Sequence, residues 1–552
     1  MRIDSLILSE IVVFPELFLG ISIIYLVLHF TFLSVKKSYP LVQSSLTFLS
    51  VLVLFLSLCL LLNDSLVYLN LNSFNNTLVN DYLSFIVKGF TISLSLFCLL
   101  IIRPYLINQK VNNFEYVLLI LFSVLGLLFL CCSNDLITAY LALELQSLSF
   151  YVLAALKKNS SFSVDAGIKY FILGALSSSL FLFGSSILYA TTGTVCFSDF
   201  KDLFNVEFNN VENSIEFDKS NFLEEVVSPL VALHLMHFIT GNGDYINNIS
   251  GVAQFALDYD KTDLGFIYNL SKFGLLLILI SLFFKLAIAP FHVWSPDVYE
   301  NSPSSSTLFF SIVPKLAIFV LLIRIFYLSF SGFVDAWRHF MAIFVILTTI
   351  IGSFGGLEQR KLKSLLVYSS ISHMGYSLIA FSVETFESFQ MLFCYLLIYS
   401  FSGLCIWSIF ISIRLKSNYL QKQNKDLTDL TALGKSNNTL AIFFSTVLFS
   451  VAGFPPMVGF LVKISIFLTA IESNMFFVPF ICILCSVIGT FYYIRLIKIL
   501  FFEKVIAGKL YFSINYFNAL LISSLFYLFL FLFVNPTLLF LFSHKLSLLV
   551  MT

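Results

Sequence analysis

Five titratable side chains stand in stretches that are otherwise almost wholly apolar: Glu144, Lys285, Lys315, His373 and Lys463. Lys285 belongs to FFKLAIAPFHVWSPDVYENSP (283–303), five residues before Pro290. A proline there cannot donate to the carbonyl of Leu286, so an ammonium group and a freed backbone acceptor fall at one membrane depth. Lys463 adjoins a second proline-rich break, FSVAGFPPMVGFLVKISIF (449–467). Glu144 lies about halfway along LITAYLALELQSLSFYVLAAL, and Lys315 is near the centre of LFFSIVPKLAIFVLLIRIF. Snorkelling to a headgroup needs a place near a helix end, which the long apolar flanks of Lys285 do not offer.

Leaving such a charge unpaired in lipid costs about 2.5 to 3.5 kcal/mol, so these groups are expected to face one another or water. A glutamate facing a lysine holds both charged, and moving the glutamate away lets the lysine release its proton. Arginine would not serve, because it does not deprotonate in proteins. His373, in SSISHMGYSLIA, is placed to bridge the two halves, since imidazole accepts on one nitrogen while donating from the other. A hydrogen-bonded core histidine is the competing reading. The chemistry on offer is a proton relay. A scaffold role, in which buried charges only fix helix packing, is the alternative from a different class.

Other polar groups invite blander readings. Lys169, Lys361 and Lys363 read as interfacial anchors, as do Arg495 and Lys498 in FYYIRLIKILFF. Asp297 and Glu300 read as acids stabilising a helix start and as a place where protons reach the inner side. Cys482 and Cys485 form a CxxC inside FFVPFICILCSVIGTFYY, where small helix-packing residues are expected. His234 and His237 have metal-ligand spacing without a third ligand, so no metal or other cofactor is expected in this chain.

The elements that must position these residues are membrane helices. Of 552 residues, 59% are hydrophobic and 11% charged, and the mean hydropathy is +0.95. An all-α polytopic membrane protein is expected. The zero net charge and lack of a long basic run exclude a nucleic-acid partner and leave the lipid bilayer as the first one. With about 20 apolar residues per crossing, fourteen spans are expected at 13–33, 44–63, 82–102, 116–131, 136–156, 168–192, 269–293, 305–325, 339–354, 365–381, 391–413, 437–470, 476–502 and 513–539. The span 437–470 is too long for one straight crossing and should break at Gly453–Pro456.

Alternate loops then differ in charge. One set totals 88 residues with 16 Lys and Arg, whereas the other totals 150 with 6 and includes both termini and the 193–268 connection. Basic loops stay on the side of insertion, so both termini are expected outside. The long connection carries twelve acids and three lysines between Gly193 and Leu264, and its VVSPLVALHLMHFIT reads as an interfacial helix. The spans carrying Lys285 and Lys463 cross in opposite directions, which points to inverted halves with a midplane site. The expected divisions are 1–115, a three-helix segment; 116–328, a first repeat containing the acidic 193–268 insertion; 329–502, an inverted second repeat; and 503–552, a last helix and tail.

On NDLITAYLALELQSLSFYVLAALKK (134–158), AGIKYFILGALSSSLFLFGSSILYATTG (166–193), FKLAIAPFHVWSPDVYENSP (284–303), QRKLKSLLVYSSISHMGY (359–376), AGFPPMVGFLVK (452–463) and FYYIRLIKILFF (491–502), the chain resembles the antiporter-like membrane subunits of respiratory complex I, the mitochondrial members above all. The resemblance implies fourteen helices with two inverted five-helix repeats and broken seventh and twelfth helices. It implies Glu144 and Lys285 as a coupled pair, with Lys315 and Lys463 as onward proton carriers. It further implies sibling antiporter-like subunits as partners, NADH, FMN, iron–sulfur clusters and ubiquinone used by partner chains, and the mitochondrial inner membrane with termini in the intermembrane space. Accessory subunits are expected at the unusually long 193–268 insertion. YSFSGLCIWS (399–408) departs from the family pattern, which leaves the eleventh helix without an expected relay residue. A cation/proton antiporter, alone or of the Mrp type, is the second functional reading.

Overall fold

A chain inside lipid must satisfy its backbone N–H and C=O groups internally, and the apolar stretches form helices for that reason. The computed structural model describes residues 13–36, 39–63, 71–108, 113–204, 261–416, 421–423, 426–431, 433–503, 511 and 514–551. The interfacial helix and the His234 and His237 pair expected in the acidic connection lie outside the described residues.

Helices α1 (Phe14–Lys36), α2 (Tyr39–Leu62) and α3 (Tyr82–Asn108) lead, with an antiparallel hairpin of β1 (Leu71–Ser73) and β2 (Leu78–Asn80) between the last two. There follow α4 (Glu115–Cys132), α5 (Leu136–Ala154), α6 (Ser161–Thr192) and the short α7 (Phe197–Phe204). After the acidic connection come α8 (Lys261–Leu286), short α9 (Trp294–Asn301) and α10 (Ser304–Ile323), which runs on into a π-helical turn at Arg324–Ser329. Next are α11 (Val334–Leu357), α12 (Leu362–Val383) and α13 (Phe386–Ser412), then a second hairpin of β3 (Arg414–Lys416) and β4 (Gln421–Gln423). The chain continues through α14 (Asn438–Ala452), α15 (Val458–Glu472), α16 (Phe477–Phe501), α17 (Tyr516–Val534) and α18 (Thr537–Met551).

Among the described residues, twelve helices are long and apolar enough to cross a membrane. The expected fourteen differ from these at two places, each with a physical reason. The span 365–381 lies in α12, whose serines and His373 make it more polar than the others. The span 437–470 divides into α14 and α15 of 15 residues each, shorter than the roughly 20 needed for a crossing. The first break also comes early, because the expected span 269–293 is helical only to Leu286.

Every side chain of α10 is buried, and α12 and α13 are buried along most of their length. These three make the centre of the molecule, while α1 and α6 turn apolar faces outward, for example Ile21, Tyr25 and Phe32, and Phe162, Ile172 and Phe183. Between helices the hydrophobic effect gives little in lipid, so close packing over small residues replaces it. A Cβ on Gly126 would meet the Gln146 amide nitrogen at 2.9 Å, and one on Gly352 would meet that of Ser372 at 2.5 Å. The pairs α4–α5 and α11–α12 thus touch backbone to backbone beside Glu144 and His373.

Candidate functional site

Both breaks leave helix C-termini inside the protein, and their last carbonyls need donors. At the first, Ala287 takes a left-handed conformation (φ 59°), and the N–H groups of Ala287 and Ile288 donate back to Phe284 and Phe283 at 3.1 and 3.0 Å. The Trp294 indole N–H adds a 2.9 Å bond to the Phe284 carbonyl. At the second, Gly453 has φ 88° and its N–H returns to Phe449 at 3.1 Å. There the Lys463 Nζ donates to the carbonyls of Val451 and Ala452 at 2.8 and 3.0 Å. A Cβ on Gly453 would lie 3.0 Å from Lys463 Cδ, so glycine both permits the turn and admits the lysine.

The two lysines are therefore held differently. Lys463 closes the negative end of α14. Lys285 Nζ is buried without a hydrogen-bond partner, and the Trp294 indole binds the Phe284 carbonyl. Each of the three central lysines also has a tyrosine ring within cation–π range. Lys285 lies 5.9 Å from the Tyr151 ring, Lys315 4.6 Å from Tyr399 and Lys463 5.2 Å from Tyr376.

His373, the Tyr399 that binds Lys315 and the Val451 that binds Lys463 all line one cavity of about 30 Å3. His373 lines it, with Nδ1 2.5 Å from the Tyr395 hydroxyl and Nε2 3.3 Å from that of Tyr493. Tyr399 lines it while its hydroxyl accepts from Lys315 Nζ at 2.6 Å and donates to the Ser311 carbonyl at 3.2 Å. Val451, whose carbonyl binds Lys463, completes the wall. A water needs about 10–15 Å3 of such space and two to four polar neighbours, and this cavity supplies both.

Lys285 belongs to a second, smaller cavity of about 10 Å3, which Glu144 does not line. Lys285 and Ser147 line it, and the Ser147 hydroxyl donates to Glu144 Oε2 at 3.4 Å. Glu144 Oε1 and the Gln146 side-chain oxygen are buried without a partner. Among the described residues Glu144 and Lys285 make no ion pair. Tyr299 is the one residue that lines both cavities.

The residues that sequence reasoning passed over are the tyrosines, Tyr399 of the eleventh-helix segment among them. Their signal is faint, since 25 tyrosines are spread through a chain with 66 phenylalanines. Two buried ion pairs were also missed: Glu16–Lys88 at 2.6 Å and Asp81–Arg324 at 2.6 Å. The readings as anchors and helix-start stabilisers resolve into cross-links onto α9. Lys169 pairs with Asp297 at 2.6 Å, Lys361 with Glu300, and Lys363 donates to the Ser302 carbonyl at 2.7 Å. Arg495 donates to the Leu357 carbonyl at 3.1 Å, at the end of α11. Cys482 and Cys485 are buried packing residues, Cys482 lying 3.6 Å from the Thr349 hydroxyl. No cluster of three potential metal ligands occurs among the described residues.

Comparison with known proteins shows the family and the fold. The family model described as NADH:quinone oxidoreductase/Mrp antiporter, transmembrane, matches residues 133–223 and 226–489. The chain is 34% identical over 540 residues to NADH-ubiquinone oxidoreductase chain 2 of Marchantia polymorpha, covering 97% of each. It is 34% identical over 492 residues to NADH-quinone oxidoreductase subunit N of Pelagibacter ubique, covering 89% of each. A chain of respiratory complex I from Thermus thermophilus, 24% identical, shares the fold with a TM-score of 0.69 over 95% of this chain and 98% of that one. The chain therefore belongs to the chain 2 and subunit N family of NADH:quinone oxidoreductase, among the antiporter-like membrane proteins.

Proposed function

We propose that this chain translocates protons in the membrane arm of NADH:ubiquinone oxidoreductase. Protons pass from Glu144 to Lys285, then to Lys315 and, through the His373 cavity, to Lys463. One observation carries the reading: of the basic groups that bilayer energetics disfavour, Lys315 meets the Tyr399 hydroxyl, His373 the Tyr395 hydroxyl and Lys463 the Val451 carbonyl about one cavity, while Lys285 lines a second. Moving one charge against 100 mV costs about 2.3 kcal/mol, which a redox reaction in partner subunits can supply. NADH, FMN, iron–sulfur clusters and ubiquinone then belong to those partners, and no redox centre to this chain.

The two breaks support inverted repeats at 116–328 and 329–502, flanked by the 1–115 and 503–552 segments. The loop charges support termini on the intermembrane-space side of the mitochondrial inner membrane. Sibling antiporter-like subunits are the lateral partners, and the acidic 193–268 insertion is the place for accessory subunits. An Mrp-type cation/proton antiporter is the second reading, favoured by the matching family's own description.

Purification from native membranes separates the two. Flavin- and cluster-bearing chains copurifying in fixed ratio are expected; their absence would favour the antiporter. Within the assembled enzyme, Glu144→Gln is expected to suppress proton uptake into vesicles, and full uptake would contradict the relay.

A further inference from the structure

The proposed relay has a gap between Lys285 and Lys315, and one side chain spans it. Tyr299 lies on α9, is buried, and lines both the cavity beside Lys285 and the cavity beside Tyr399 and His373. Its hydroxyl donates to the Phe310 carbonyl at 3.3 Å. That carbonyl is available for a reason found in the sequence. The residue that would donate to it in a regular helix is Pro314, which has no N–H.

The neighbouring carbonyl, Ser311, accepts from Tyr399, the hydroxyl bound to Lys315. Two tyrosines therefore converge on adjacent carbonyls at the point where proline opens α10, immediately before Lys315. The helix that carries Tyr299 meets its neighbours through exposed ion pairs, Lys169 of α6 with Asp297 and Lys361 at the start of α12 with Glu300. Trp294 packs against the tyrosine ring at 5.9 Å between centroids. The hydroxyl can turn while the ring stays in place.

We propose that Tyr299 hands protons between the Lys285 cavity and the Lys315–Tyr399 cavity. The proposal rests on the relay reading above. In the step, the Tyr299 oxygen accepts a proton on a lone pair from the Lys285 ammonium, which becomes the neutral amine, as its own O–H proton passes through water in the second cavity to the neutral amine of Lys315, which becomes the ammonium. The hydroxyl then rotates back. One O–H bond forms and one breaks, and no net charge remains on the phenol. The Phe310 carbonyl holds the hydroxyl in its resting orientation between transfers.

The test uses the whole oxidoreductase, assembled with Tyr299→Phe and reconstituted in vesicles. The phenylalanine keeps the ring contacts and removes only the oxygen. A several-fold fall in protons moved per electron pair is expected, together with a changed solvent deuterium isotope effect on pumping, while the amount of assembled complex stays at the wild-type level. Lys285→Met is measured alongside. If Lys285→Met abolishes this subunit's pumping and Tyr299→Phe leaves ratio and isotope effect unchanged, the hand-over is overturned and the relay stands. If Lys285→Met also pumps fully, the relay itself fails. Should Tyr299→Phe not assemble, 3-fluorotyrosine at position 299 keeps the shape and acidifies the phenol. A shifted pH profile of pumping then supports the proposal, and an unshifted one overturns it.

Discussion

The Lys463 ammonium lies 2.8 Å from the Val451 carbonyl, so one half of a broken helix closes the C-terminus of the other with its own charge. The half-helix dipole favours a cation at this position. The contact also gives Lys463 a structural duty that Lys285 lacks.

That duty and the proton chemistry can be separated by substitution. Lys463→Met leaves the Val451 and Ala452 carbonyls without their side-chain donor, at about 1 to 3 kcal/mol for each buried group. Less assembled complex is expected on native gels. Lys463→Arg keeps donors at the break but cannot release a proton. It is expected to assemble better than the methionine variant and pump as poorly, and recovery of pumping with arginine would show that Lys463 only caps the helix.

Tyr399 joins the eleventh-helix segment to Lys315. Its hydroxyl accepts from Lys315 at 2.6 Å, and a hydrogen bond to a charged group is worth about 1.5 to 3 kcal/mol. Tyr399→Phe is expected to slow coupled proton transfer roughly tenfold or more, since each 1.4 kcal/mol is a factor of ten. Quinone reductase activity measured with an uncoupler should change far less. Equal loss in both assays would mean that the substitution damages the fold and not the relay.

One ion pair links two N-terminal helices to each other and a second links them to the body. Glu16 of α1 pairs with Lys88 of α3, and the Asp81 carboxylate just before α3 pairs with Arg324 at the end of α10. Removing one partner of a buried pair costs about 3 to 5 kcal/mol, whereas replacing both by apolar residues is often neutral. Glu16→Leu is therefore expected to reduce assembly, and adding Lys88→Leu to restore it. Absence of that rescue in a double-mutant comparison would refute the account of the pair.

Asp81 makes the outer pair sensitive to acid. Burial raises its carboxyl while the Arg324 guanidinium and the Ser84 amide lower it, and the net result is below the ordinary 3.8. A carboxyl depressed by folding contributes stability above its unfolded value and loses it as pH falls through the folded one. Resistance of the N-terminal segment to proteolysis should fall below about pH 4. With Arg324→Leu that acid step should disappear; its persistence would assign the step to other groups.

Close helix contact beside the imidazole is equally testable. An alanine at 352 would meet the Ser372 nitrogen at 2.5 Å, next to His373. Gly352→Ala must therefore push α11 and α12 apart and displace His373 from Tyr395. Overpacking of this kind costs about 1 to 3 kcal/mol. Lower thermal stability of the assembled complex and slower pumping are expected together, and a fully wild-type variant would contradict the packing described.

Much of this site was legible because charge and proline are conspicuous in an apolar chain. Lys285, Lys315, Lys463 and Glu144 stood out by residue type, and the breaks by Pro290 and Pro455–Pro456. The tyrosines did not stand out, since an aromatic residue belongs in a membrane helix and only the fold shows which hydroxyls converge. Glu16 and Lys88 escaped for another reason. Each falls near the start of a helix, where an anchoring charge is ordinary, and their pairing depends on helices far apart in sequence. The span count differed where α12 trades hydropathy for serines and His373, and where the second break leaves two short helices in place of one long one.

The central claim is that Lys285 carries protons, and the proton-to-electron ratio of the assembled oxidoreductase with Lys285→Met tests it most directly. Methionine fills the same space without a titratable group, and Lys285 Nζ has no hydrogen bond to lose, so assembly should be unaffected. A lower ratio with intact NADH oxidation by the uncoupled enzyme is predicted. A ratio equal to the wild type would show that the buried charges only pack the helices.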